Sequence, residues 1–261
     1  MKFITVLVRA WVAVLAAVAL GAVTLSGSPA SADHPNALWR VVHGLCLRDV
    51  AISGLPAPCL AVNRQAGYAV VPDLRGRTQV LLVPTTRISG IESPQILAPD
   101  AVNYWQAAWE ARRFVEKRAA RSISRDRIGL AINSVFSRSQ DQLHIHVDCV
   151  RLQVRQALMD NEAAIGAAWT PLPVALAGHR FKARRLVGED LGQRNPFVLL
   201  ARGDPVARRR MPLETLAVIG ATFVDGSPGF YLLSDHTDFM RGDPGFAEGL
   251  LDHGCAVLKQ P

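Results

Sequence analysis

The sequence predicts an α+β fold built on an antiparallel sheet, and three observations carry that expectation. Residues 143–149 alternate polar and apolar side chains, which is the period of a half-buried strand. Two short apolar runs, 68–71 and 79–83, flank the turn-rich stretch 72–77 and read as a hairpin. A longer segment after Asp100 spaces its apolar residues at helical intervals. Strands that follow one another with helices set between groups of them, rather than after every strand, give an α+β arrangement. At 261 residues, 49% hydrophobic and 20% charged, the chain is globular and large enough for a substantial core.

The N-terminus comes first in the chain and sets the compartment. Lys2 and Arg9 precede an uncharged run from Ala10 to Leu25, and Ala30-Ser31-Ala32 follows, so residues 1–32 read as an export signal or a retained N-terminal anchor. Either way the remainder is exported. Beyond this segment stand Cys46, Cys59, Cys149 and Cys255, an even number that suggests two disulfides with three possible pairings. The pairing expected is Cys46 with Cys59, closing a Pro-rich loop, and Cys149 with Cys255, tying the tail to the strand at 143–149.

The remaining elements follow in order. Residues 37–42 suit a short helix and 53–59 a loop. After the hairpin, Pro84 ends the second strand, and 85–90 form a loop that could present Arg87 to an anion. Asp100 can cap a helix over 101–120 in which Trp105 and Trp109 face the core. A strand at 128–133, a polar link at 134–141, the strand at 143–149 and a helix at 151–164 complete a first lobe, 33–168. From Trp169 the signals weaken. Strands are expected at 179–186, 216–224 and 230–234, with a helical tail at 246–253. A faint echo of 78–86 in 229–237 suggests that 169–261 form a second, degenerate lobe packed on the first.

Chemistry concentrates on one strand. His144, His146 and Asp148 alternate with Leu143, Ile145 and Val147, so all three polar side chains leave the same face, about 7 Å apart. That spacing suits a grip on one phosphate-sized group or one metal ion. His43, His179, His236 and His253 read as surface or packing residues, and the basic runs Arg184-Arg185 and Arg208 to Arg210 as solvated faces able to meet anionic headgroups beside a membrane. The excess of 29 Lys and Arg over 22 Asp and Glu favours anionic partners. Nucleic acid is disfavoured, because the basic residues are scattered and the chain is exported.

The run His144-Ile145-His146-Val147-Asp148 resembles the histidine-triad motif of nucleotide hydrolases and transferases, with Asp148 in place of the third histidine. Gln140, four positions before the first histidine, and Asn133, eleven before it, resemble that family's spacing. With the export segment, the four cysteines, and the stretches 86–94 and 139–146, the chain more closely resembles the bacterial CDP-diacylglycerol pyrophosphatase family, from about Trp39 to Cys255. The resemblance implies a histidine-triad-like sheet and cleavage of CDP-diacylglycerol to CMP and phosphatidate without a metal or other cofactor. It implies His146 as the nucleophile, His144 and Asp148 as catalytic partners, and Asn133, Gln140 and Arg87 as substrate-binding residues. It also implies an inner-membrane setting with the domain on the periplasmic side, or release after signal cleavage, and work at an anionic membrane surface.

Two other readings use the same strand. His-x-His-x-Asp also resembles the zinc signature of metallo-β-lactamase-type hydrolases, although Cys149 stands where a further histidine would continue it. A non-catalytic exported nucleotide- or lipid-binding module is the other. A Ser-His-Asp hydrolase is disfavoured because no Gly-x-Ser-x-Gly elbow occurs.

Overall fold

The computed structural model describes residues 34–259, and residues 1–32, expected as an export signal or anchor, lie outside them. Nine strands form one sheet with every neighbouring pair antiparallel. In chain order they are β1 (Ala61–Asn63), β2 (Tyr68–Pro72), β3 (Val80–Pro84), β4 (Ile128–Ile132), β5 (Ile145–Cys149), β6 (Thr170–Pro171), β7 (Lys182–Val187), β8 (Glu214–Thr222) and β9 (Pro228–His236). Their order across the sheet is β1-β2-β3-β5-β4-β8-β9-β7-β6. The expected hairpin is β2–β3, and the expected strand at 143–149 is β5, set between β3 and β4.

Strand alternation sends the two faces of this sheet to different partners. Val80, Leu82, Leu130, Ile132, Ile145, Val147, Val218 and Phe230 meet a long helix, Tyr104–Ala119, through Trp105, Ala108, Trp109 and Val115. Both tryptophans are core residues, as their spacing predicts. The expected cap at Asp100 is corrected, since Asn103 caps the helix by accepting from the Gln106 backbone N–H at 3.3 Å.

The opposite face carries two separate apolar patches. Beside β2 and β3, Ala69, Val71, Leu81 and Val83 pack under Leu38, Val42 and the Cys46–Cys59 disulfide. The short helix expected at 37–42 is longer, running as a helical turn Ala37–Trp39, a wider π-type stretch Arg40–Cys46 and a helix Leu47–Ser53. Beside β4, β8 and β9, Ala131, Ala217, Ile219 and Leu233 pack under Val154, Leu158, Leu250 and Leu251. The helix expected at 151–164 stops at Asp160, and Glu162–Ala164 form a separate 3-10 turn. The tail expected as helix is a single 3-10 turn, Ala247–Leu250, because Leu251 forms a bridge to Val150 instead.

Strands from the segments 33–168 and 169–261 belong to the same sheet, joined where β4 pairs with β8. The sequence echo compares β9, which adjoins β8, with β3, which lies between β2 and β5. The two stretches therefore hold different places in the sheet. Among the described residues no helix is long and apolar enough to cross a membrane.

Candidate active site

The gap between the two apolar patches is where the polar face of β5 emerges. On that face His146 is paired across to Leu81 of β3 and Ala131 of β4, and Asp148 to Gly129. All three predicted side chains are buried, with 7% of His144, 5% of His146 and none of Asp148 exposed. Buried polar groups need partners, and those partners define what each can do.

His144 Nδ1 lies 2.7 Å from the Gln142 carbonyl. A carbonyl only accepts, so the Nδ1 proton is fixed there and the Nε2 lone pair is left available. The His144 and His146 rings meet edge to face with centroids 4.9 Å apart. Burial lowers the His144 pKa, and the ring is neutral near pH 7.

His146 has the opposite tautomer. The Gln79 amide nitrogen donates to Asp73 Oδ2 at 2.9 Å and lies 2.6 Å from His146 Nδ1. The Asp73 carboxylate fixes which end of that amide faces inward, so His146 Nδ1 accepts and the ring proton sits on Nε2. Nε2 makes no aligned hydrogen bond and lies 3.3 Å from Glu248 Oε2. Burial pushes His146 below its ordinary value, against the pull of Glu248. Burial acts to raise the Glu248 carboxyl, but the His146 and His253 imidazoles and the Asn133 amide outweigh it and hold the pKa below the usual range.

Asp148 accepts from Thr78 Oγ1 at 2.7 Å and faces His253 Nδ1 at 3.2 Å. His253 Nε2 lies 3.4 Å from Glu248 Oε1. Hydrogen bonds to Asp148 and Glu248 raise the His253 pKa to about 9, so it is a cation between two carboxylates. The histidine that Asp148 meets is thus His253 of the tail, not a neighbour on β5.

The other predicted residues divide. Asn133 stands in the site, donating to Glu248 Oε2 at 3.1 Å and accepting from the Glu248 backbone N–H at 3.0 Å. With Ser89, Arg138 and His144 it lines a small recess. Gln140 accepts from the Leu38 backbone N–H at 2.8 Å, fastening the N-terminal helical segment. Arg87 donates to Asn36 Oδ1 and stacks over Trp39, 5.4 Å from its centroid. Nor do His144, His146 and Asp148 together form a group of donor atoms within 4.8 Å of one another among the described residues; Asp148 instead groups with Cys149 and Cys255, which are joined in a disulfide. The expectation that these three could grip one metal ion is therefore corrected: Asp148 turns toward Thr78 and His253.

The chain matches the family model for CDP-diacylglycerol pyrophosphatase over residues 33–259. It is 41% identical over 226 residues to a CDP-diacylglycerol pyrophosphatase of Yersinia pestis, covering 87% of this chain and 86% of that protein. The chain belongs to the CDP-diacylglycerol pyrophosphatase family. Membership in that family spans the whole described sheet and the tail that supplies Glu248 and His253.

Reading the sequence as a pyrophosphatase of this family missed Gln79, Glu248 and His253. Two of them left a trace. Gln79 is the polar first residue of an otherwise apolar run, and His253 lies two positions before Cys255, which the expected disulfide brings to β5. Glu248 left none, because only folding of the tail across β4 puts it beside His146.

Proposed function

We propose that this chain hydrolyses the pyrophosphate bond of CDP-diacylglycerol, giving CMP and phosphatidate, through a covalent nucleotidyl-histidine. The observation that carries the mechanism is the buried His146 Nε2, uncommitted to any aligned hydrogen bond and 3.3 Å from an ionised carboxylate. Attack needs the lone pair on Nε2, so Glu248 takes the Nε2 proton while Nδ1 gains one from water on the side that faces Asp73 Oδ2 at 3.9 Å. The still neutral ring then attacks the cytidylyl phosphorus through Nε2. The bond from phosphorus to the bridging oxygen breaks, and phosphatidate leaves with that oxygen. Water then cleaves the P–N bond to release CMP. Dividing the displacement in this way replaces one difficult step by two easier ones.

The remaining side chains position and balance charge, which is most of what phosphoryl transfer requires of a protein. Gln79 and Asp73 position the His146 ring and set its resting tautomer, Asn133 aims Glu248, and cationic His253 offsets the carboxylates that would repel a pyrophosphate. Arg87 and Gln140 brace the N-terminal segment beside the site. The two disulfides suit an oxidising, exported location.

The lipid end of the substrate favours a membrane surface. Arg185 is committed to Asp225 at 2.9 Å and Arg210 to Glu214 at 3.3 Å, so those members of the basic runs are tied to their own protein. Phe136 and Phe239 stack edge to face with centroids 5.0 Å apart and remain largely exposed beside fully exposed Met240. Phe136 is three residues from Asn133, and this apolar patch is the surface proposed to meet the bilayer.

A specific observation favours a second reading of the nucleophile, since His144 already holds its lone pair on Nε2. Substrate labelled at the cytidylyl phosphate and quenched in acid separates the two. Loss of the labelled adduct in His146→Ala, with the adduct kept in His144→Ala, supports His146, and the reverse assigns the bond to His144. Glu248→Gln is expected to lower kcat about 10²- to 10⁴-fold. An adduct-free enzyme that turns over normally would sink the covalent mechanism.

A further inference from the structure

A second cluster of ionisable side chains lies on the β7–β9 side of the sheet and takes no part in the site above. Asp235 lies near the end of β9, and Asp243 follows in the next loop. His179 stands just before β7, closing a tight turn with Leu176 through paired backbone bonds of 2.9 Å. Gly178 and Ala177 fill that turn with φ of 89° and 49°.

His179 Nδ1 is 2.7 Å from Asp243 Oδ2 and 3.9 Å from Asp235 Oδ2. One donor atom from each residue falls within 4.8 Å of the other two. Asp235 Oδ1 accepts the His236 backbone N–H at 2.8 Å, and Asp243 Oδ1 accepts that of Gly245 at 2.8 Å, which orients both carboxylates. Among the described residues, Asp235 Oδ2 accepts from no N–H or hydroxyl of the protein, although only 7% of the residue is exposed, and its near polar neighbour besides His179 is the Asp243 carboxyl. It is a buried carboxylate oxygen aimed at a second carboxylate and an imidazole. No lysine or arginine forms an ion pair with Asp235 or Asp243 among the described residues.

Two carboxylates drawn together in a low-dielectric setting repel one another unless a proton or a metal cation is shared between them. An imidazole nitrogen and two carboxylate oxygens form the mixed N,O donor set that zinc and similar divalent ions accept. Ligands about 2.1 Å from a tetrahedral ion sit about 3.4 Å from one another. The observed separations of 2.7 and 3.9 Å bracket that value, so small side-chain rotations complete the geometry.

We infer that His179, Asp235 and Asp243 form a binding site for one divalent metal ion of the zinc class, with water completing the coordination. The ion fastens β9 to the segment after Asp243. That segment is also anchored by Ser134 Oγ, which donates to the Pro244 carbonyl at 2.6 Å, and it leads directly to Glu248. The site is separate from the histidine strand and provides positioning for the tail.

The test adds zinc to chelator-stripped protein spanning residues 33–261 and measures bound metal, affinity by calorimetry and melting temperature. One equivalent of zinc and a raised melting temperature are expected. Asp235→Asn should weaken affinity at least about a hundredfold, while His146→Ala binds as the unaltered chain does. X-ray absorption on the zinc-loaded protein should report one imidazole in an otherwise oxygen shell, which needs no variant, and His179→Gln should remove that imidazole. Failure of the unaltered chain to take up stoichiometric zinc would overturn the inference. So would zinc that survives Asp235→Asn but is lost with His146→Ala, since the ion would then lie on the histidine strand.

Discussion

His146 keeps its proton on Nε2 only as long as Asp73 holds the Gln79 amide in place, so the chemistry of one ring depends on a residue two contacts away. The same dependence appears at His253, whose proton is held by Asp148 and Glu248 and whose pKa is about 9. Because the folded state binds that proton more tightly than the unfolded chain, the contribution is complete below about pH 6.5. It is lost as the pH rises through about 9. Urea unfolding at pH 6.5 and pH 9.5 should therefore show a fall in stability, and His253→Gln should flatten it. An unchanged slope in the variant would show that His253 is not the group responsible. Gly76 is tied to the same residue, since its φ of 79° suits glycine and a Cβ there would lie 2.6 Å from His253 Cβ.

At the scale of elements, the helix Tyr104–Ala119 and strand β5 show why legibility was uneven. The helix was readable because its apolar stripe repeats over several turns, and β5 because strict alternation names its two faces. Strands β1 and β6, of three and two residues, were not predicted. Such short stretches carry too little periodicity, and their pairing partners alone make them strands. Helices Pro196–Gly203 and Pro205–Arg209 were also missed, although each begins with proline after a capping Asn195 or Asp204, a start signal present in the sequence. The long helix holds the sheet through Trp105, which is fully buried and meets Phe197 edge to face at 5.2 Å. Trp105→Ala should cost about 3–5 kcal/mol by chemical denaturation. A cost below about 1 kcal/mol would mean that the helix is not the cover this sheet face depends on.

For the whole molecule the two disulfides have unequal tasks. Cys46–Cys59 closes a separation of 13 residues within the N-terminal cover, whereas Cys149–Cys255 spans 106 and fastens the tail to β5. In the chain-entropy account a longer loop stabilises more, about 4.7 kcal/mol for 100 residues against about 3 for 15. A Cys149→Ser/Cys255→Ser variant should therefore lose more stability than Cys46→Ser/Cys59→Ser. It should also lose more activity than its stability explains, because Glu248 and His253 lie on the released tail. Stability and CMP release measured on both double variants at one temperature decide this, and equal activity losses would separate the tail from catalysis.

By itself the sequence determined the local features of this protein: the alternation that puts His144, His146 and Asp148 on one face, the apolar repeat of the long helix, and the four cysteines. These depend on neighbours a few residues apart, which periodicity records. Only the tertiary structure decided which partners those side chains meet. Asp148 found His253 across 105 residues and His146 found Glu248 across 102, while Arg87 and Gln140 turned to the N-terminal segment. No periodicity links residues so far apart in the chain. Their meeting follows from burial, because a polar group enclosed between two apolar patches must find its hydrogen-bond partner wherever the fold brings one.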